Sequence, residues 1–219
     1  MSASSIPFLK RFLAAPQQVG SIVPSSRGLA RALAGPYARH DGPARVLELG
    51  AGTGPVTAEL ARIIGPQDEI DVCEIDDRFA EVLRDRYFTN GPLADAARAG
   101  RARLLHQPMQ AIEGEDRYDF IISGLPLNGF EPALVTDILA CIQRLLRPGG
   151  TYSYFEYAAA RRLLRRSING KTRQRVMQVS ALVGELIAKY EVDRQLILLN
   201  VPPAYARHLR FDESKARDA

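Results

Sequence analysis

VLELGAGTG, residues 46–54, decides the fold. Its first half, Val46 to Leu49, is a short apolar run of the kind that forms a buried strand. Its second half alternates Gly50, Ala51, Gly52, Thr53 and Gly54, and Val56, Leu60, Ile63 and Ile64 then fall on one face of a helix. Strand, glycine turn and helix in that order place a ligand-binding loop at the carboxyl end of the first strand of an open α/β sheet. Glycines without a Cβ let the backbone turn sharply and approach a ligand closely. In the dinucleotide fingerprint the third glycine follows the second by three positions, whereas here the spacing is two and two. Glu48, two residues ahead of the first glycine, sets a carboxylate beside the loop, which suits a cationic ligand better than a pyrophosphate.

Reading outward, the same alternation of strand and helix continues. EIDVCEI (69–75) is a second strand, residues 77–87 a helix, ARLLHQ (102–107) a third strand and YDFIISG (118–124) a fourth. A helix over 132–146 presents Leu134, Ile138, Ile142 and Leu145 on one face and stops at Pro148-Gly149-Gly150. TYSYFEY (151–157) is a fifth strand. Val176, Val179, Val183, Leu186, Ile187 and Tyr190 face the core on a long helix, and QLILLN (195–200) and YARHLRF (205–211) close the chain as sixth and seventh strands. Such alternation predicts a mostly parallel sheet covered on both faces, and two final strands without a helix between them predict an antiparallel edge hairpin. Ahead of all this, residues 24–34 form a short helix capped by a serine and closed by Gly35-Pro36.

The second strand ends in Cys73-Glu74-Ile75-Asp76, about twenty residues past the glycine turn. A carboxylate there can accept both hydroxyl hydrogens of a ribose, and Glu74 is the expected acceptor, with Ile75 packing on the base.

These residues resemble the class I S-adenosylmethionine-dependent methyltransferases, from Arg45 onward. The resemblance implies a Rossmann-like seven-stranded sheet and S-adenosylmethionine as cofactor. It gives Glu48, Gly50, Ala51, Gly52, Thr53, Gly54, Glu74, Ile75 and Ser123 to the cofactor site. The hairpin ending is what separates such a sheet from a dehydrogenase sheet. In that family the third strand usually ends in an acid for the adenine amino group; this chain has Gln107-Pro108-Met109 there, so Gln107 or a backbone group must serve. The fourth strand runs into Ser123-Gly124-Leu125-Pro126-Leu127-Asn128, which flanks the transferred methyl group. Ribosomal RNA adenine dimethyltransferases read Asn-Leu-Pro-Tyr here; Gly124 and Leu127 stand where their base-holding amide and ring would be.

The chain is more similar to the soluble bacterial phospholipid N-methyltransferases, in FLKRFLAAPQQVGSIVPSS (8–26), in ISGLPL (122–127) with its aromatic fifth strand, and in NVPPA (200–204). That resemblance implies stepwise N-methylation of phosphatidylethanolamine towards phosphatidylcholine, with an RNA methyltransferase as the alternative and a non-catalytic cofactor-binding protein as a third. Ser123, Gly124, Leu125, Pro126, Asn128 and Tyr154 are then the acceptor-side residues. Tyr152, Phe155 and Tyr157 are further aromatic candidates, of which strand alternation turns only some towards the site.

Charge distribution bears on the partner. The net charge is +4, yet no acid precedes Asp41, and residues 161–175 carry seven basic side chains and no acidic one. Such tracts favour phospholipid headgroups or nucleic acid. Ile6, Leu9, Phe12 and Leu13 recur at helical spacing around Lys10 and Arg11, so residues 4–15 form a helix that either packs on the domain or lies in a bilayer interface. On the membrane reading, residues 1–40 are an N-terminal arm, with Phe8, Leu9, Lys10, Arg11 and Phe12 at the bilayer. Residues 41–219 are then the methyltransferase domain, with Arg161, Arg162, Arg165, Arg166 and Lys171 on lipid phosphates.

The partners expected are anionic and zwitterionic phospholipids rather than nucleic acid, met by a monomer on the inner face of the cell membrane. No stretch approaches the ~20 apolar residues of a span. Basic residues split the first apolar run rather than precede it, against a secretory signal. Cys73 and Cys141 share no motif spacing and no zinc cluster is available, which fits reduced cytosolic thiols and no metal.

Overall fold

The computed structural model describes residues 26–158 and 170–211, without the side chains of 171 and 172. Its elements are α1 (Arg27–Ala38), β1 (Arg45–Leu49), α2 (Pro55–Ile63), β2 (Glu69–Glu74), α3 (Asp77–Leu83), α4 (Ala94–Arg98), β3 (Ala102–His106), β4 (Tyr118–Ser123), α5 (Pro132–Leu145), β5 (Leu146–Tyr157), α6 (Gly170–Tyr190), β6 (Glu191–Ile197) and β7 (Ala204–Arg210). A π-helical turn, Arg84–Thr89, extends α3.

The strands form one seven-stranded sheet in the order β3-β2-β1-β4-β5-β7-β6. The first five run parallel, and β7 lies antiparallel between β5 and β6. This is the Rossmann-like methyltransferase arrangement expected. Strand order reverses between β1 and β4, so the crevice at their carboxyl ends is where such a sheet holds a ligand. One face packs Leu47, Leu49, Ile121 and Tyr152 against α5 and α6; the other packs Val46, Val72, Ile122 and Phe155 against α1, α2 and α3. Alternation along each strand assigns its residues to these two cores.

Several boundaries differ from expectation. Helix α1 does not close at Gly35-Pro36 but runs through Pro36 to Ala38. Leu29, Leu33 and Tyr37, one turn apart, are all buried, and the Tyr37 hydroxyl donates to Asp68 at 2.6 Å, so packing carries the helix past its weak residues. α1 thereby sits on the sheet, although the sequence groups it with the N-terminal arm. β5 begins at Leu146, so Pro148-Gly149-Gly150 lies within a strand, next to a register shift opposite β4. β6 starts at Glu191 directly after α6 and ends at Ile197, leaving Leu198 to Asn200 in the turn.

Candidate active site

The glycine loop is built on positive φ: Gly50 at 67°, Gly52 at 56° and Gly54 at 85°. Gly54 caps α2 in the left-handed conformation, and Pro55 follows at the first helical position, where its missing N–H costs nothing. Tyr87, from the π-helical turn, donates its hydroxyl to the Gly54 carbonyl at 2.8 Å and fills the space a Gly54 side chain would need. Nothing lies within 4 Å of a Cβ placed on Gly52, so the middle of the loop faces open space. Ala51 beside it is buried and Thr53 exposed.

Glu74 ends β2 beneath this loop, 2% exposed. One carboxylate oxygen accepts the Ile75 and Asp76 N–H groups at 2.8 and 2.9 Å; the other accepts the Gly52 N–H at 2.8 Å. Asp76 is spoken for elsewhere, accepting the Arg78 and Phe79 N–H groups as the cap of α3. Of the two carboxylates, Glu74 lines the crevice and Asp76 does not. Beside it a cleft is lined by Leu49, Gly50, Cys73, Ile75, Gln107, Pro108, Met109 and Leu125. Ile75 and Met109 supply apolar walls for a flat base, and burial pushes the Cys73 thiol up to about 12, so it stays neutral. The Gln107 carbonyl is occupied by that thiol at 3.2 Å. These residues fit the adenosyl cofactor implied by the sequence: an apolar slot, a buried carboxylate for a diol and a glycine loop open on one side.

Glu48 lies differently. It points under α2, where its carboxyl accepts the Thr57 hydroxyl at 2.8 Å, and it does not line the cleft. Complete burial pushes its pKa up to about 8.

On the acceptor side, the Gly124 N–H donates to the Leu49 carbonyl at 2.8 Å, and a Cβ at Gly124 would stand 2.5 Å from the Gly50 carbonyl oxygen. Leu125 covers Gly50, and the Ser123 hydroxyl accepts the Leu125 N–H at 3.2 Å. Asn128 and Pro126 are half-buried around a single 3-10 turn, whereas Leu127 is buried in the core.

Tyr154 pairs in register with Ser123, and Tyr152 sits one place behind on the same face. Their rings stack at 5.4 Å between centroids, 10° from parallel. Both hydroxyls are buried without a hydrogen-bond partner, that of Tyr152 lying near Ser123 short of bonding geometry. Burial pushes both phenols well above their ordinary pKa. Phe155 and Tyr157 take the opposite face.

Two features escaped sequence reasoning. Tyr87 braces the loop from 33 residues away with no motif to mark it. Next to Tyr154, the Arg207 guanidinium donates to Glu156 at 3.0 Å and also to Glu191, an ion cluster assembled by the pairing of β7 with β5 and β6. Phe8, Leu9, Lys10, Arg11, Phe12, Arg161, Arg162, Arg165 and Arg166 lie outside the described residues, and Lys171 opens α6.

The family described as "Methyltransferase domain" matches residues 46–150. The chain is 35% identical over 146 residues, 67% of its own length and 74% of the relative's, to an ornithine lipid N-methyltransferase of Singulisphaera acidiphila. It is 29% identical over 122 residues to the ubiquinone/menaquinone biosynthesis C-methyltransferase UbiE of Stutzerimonas stutzeri, covering 55% of this chain and 44% of that one. Among solved structures it is similar in fold to the 1,6-didemethyltoxoflavin-N1-methyltransferase of Burkholderia thailandensis with bound S-adenosylhomocysteine. There the TM-score is 0.60 at 17% identity, over 97% of this chain and 92% of the other.

Proposed function

The chain belongs to the class I S-adenosylmethionine-dependent methyltransferases, and from that membership we propose that it methylates the amine of a membrane lipid. The acceptor we favour is phosphatidylethanolamine and its partly methylated forms, taken towards phosphatidylcholine at the inner face of the cell membrane. The observation that carries this reading is the 35% identity with a lipid N-methyltransferase across three quarters of that relative. Leu127 supports it from the negative side, because it is buried in the core and offers no ring to a nucleobase.

When bound, S-adenosylmethionine supplies an electrophilic methyl group on a sulfonium. The chain's own residues hold the partners in line. Glu74 would accept from the ribose hydroxyls, Ile75 and Met109 would flank the base, and the open side of Gly52 would admit the methionyl end. The acceptor nitrogen is placed by Ser123 and the Tyr152 and Tyr154 hydroxyls. These phenols stay protonated at neutral pH, so their oxygens accept a hydrogen bond from the amine and do not take its proton. The amine enters in its neutral form, having lost its proton to water. Alignment and exclusion of water then provide the acceleration without a strong base. The N-terminal segment with Phe8, Leu9, Lys10, Arg11 and Phe12 would bring this site to the bilayer.

Incubation with labelled S-adenosylmethionine and mixed membranes, followed by thin-layer separation, tests the reading. Label is expected in mono-, di- and trimethylated phosphatidylethanolamine. Label confined to ornithine lipid would move the acceptor within the lipid class, and label in RNA but not lipid would overturn the proposal.

A further inference from the structure

The turn between β6 and β7 inverts the usual pattern of a surface loop. Leu198, Leu199 and Val201 are 69%, 91% and 70% exposed, while the polar Asn200 among them is 3% exposed. Asn200 is held from both ends: its side-chain carbonyl accepts the Ser26 N–H at 3.0 Å and its amide donates to the Pro202 carbonyl at 2.7 Å. The Pro203 carbonyl accepts the Ala158 N–H at 2.8 Å. A buried amide therefore fixes the turn and holds the apolar side chains outward. Loops ordinarily carry polar tips, and a rigid apolar one marks a surface that meets something other than water.

The register places this tip. Tyr157 and Ile197 both pair with Ala204, so the turn lies at the carboxyl end of β5, the same edge of the sheet as the glycine loop and Ser123. Two described segments meet there through the Ser26–Asn200 hydrogen bond, residues 26–40 and residues 194–211, and neither contains an acid. Arg27 is exposed next to Ser26 at this corner. An apolar point without surrounding negative charge is complementary to an anionic bilayer, where apolar side chains reach the acyl boundary and basic ones stay at the phosphates. A water-soluble protein partner gives no reason for both segments to lack acids.

We propose that Leu198, Leu199 and Val201 form a fixed wedge that enters the headgroup region of an anionic phospholipid bilayer and sets the active-site edge of the sheet against it. The inference rests on the lipid-acceptor reading above and adds the surface by which the folded domain meets its substrate.

The chain contains no tryptophan, so Leu199→Trp in the full-length protein introduces a single reporter at a side chain that faces solvent. With vesicles of phosphatidylglycerol and phosphatidylcholine, its emission is expected to shift to the blue and to be quenched by lipids brominated on their acyl chains. Leu199→Asp is expected to weaken flotation with the same vesicles at least tenfold while leaving methylation of a short-chain, detergent-dispersed lipid unchanged. An unshifted indole on a chain that floats would overturn the wedge and assign docking to another segment. An indole already blue-shifted without lipid, and unmoved by it, would overturn it in favour of cover by the chain itself or a second copy. Insertion without lipid methylation would leave the wedge standing and remove the acceptor reading; methylation without insertion would do the reverse.

Discussion

Removing one oxygen should make this protein more stable and less active. Tyr154→Phe keeps the ring, its stacking on Tyr152 and its place opposite Ser123, and deletes a buried hydroxyl that has no hydrogen-bond partner. Leaving such a hydroxyl unsatisfied costs about 1–3 kcal/mol. Since the group is unpaired before the acceptor arrives, the variant should gain on the order of 1 kcal/mol, or about 2–4 °C in Tm for a chain of this size. The acceptor nitrogen becomes positive as it takes the methyl group, so a hydroxyl oxygen against it belongs with hydrogen bonds to charged groups, worth about 1.5–3 kcal/mol. Its loss should lower kcat/KM roughly ten- to a hundredfold, with affinity for S-adenosylhomocysteine unchanged. Thermal denaturation, calorimetric titration and initial rates on one preparation read all three. Full activity in the variant, or a fall in Tm of several degrees, would refute the reasoning: the first removes the hydroxyl from the acceptor site and the second shows that it was already bonded.

Glu74→Ala should weaken S-adenosylhomocysteine binding by about 1.5–3 kcal/mol, read by titration, because the remaining side chain cannot accept from a ribose. Glu48 is favoured in its protonated form by the fold, so its contribution to stability should decline by roughly 1.4 kcal/mol per pH unit between about 5 and 8. Glu48→Gln keeps an acceptor for Thr57 and should flatten that decline in melts recorded across the range. Gly124→Ala forces a methyl to 2.5 Å from the Gly50 carbonyl oxygen, and cofactor binding and methyl transfer should be lost together in a chain whose circular dichroism is retained.

What the sequence made legible was local. VLELGAGTG announces strand, turn and helix within a dozen residues, and Glu74 is found by counting from it, because a βαβ unit has a nearly fixed length. What it hid depends on partners far along the chain. Pro36 reads as a stop, yet α1 continues because Leu33 and Tyr37 are held on the sheet. QLILLN reads as one strand, but of its apolar residues only Ile197 is buried and Leu198 and Leu199 stand in water, since the turn is set by Asn200 and Ser26, 174 residues apart. The stacked tyrosines were candidates by type, and the pairing of β4 with β5 selected Tyr152 and Tyr154 over Phe155 and Tyr157. Arg207 and Glu156 carry no motif and meet only through the β5–β7 register.

The approach of Gly124 to Gly50 has a consequence for how such an enzyme diversifies. The donor loop and the first residues of the acceptor loop are joined backbone to backbone, Gly124 to Leu49 and Leu125 over Gly50, with no room for a methyl group between them. On the proposed reading, the distance from donor to acceptor is thus written into main chain, where a substitution cannot adjust it by degrees. Selection for a different acceptor would have to act on the parts hung from this junction: Asn128 and the β5 tyrosines. The junction is the gauge of the reaction, and the acceptor is chosen by what is mounted around it.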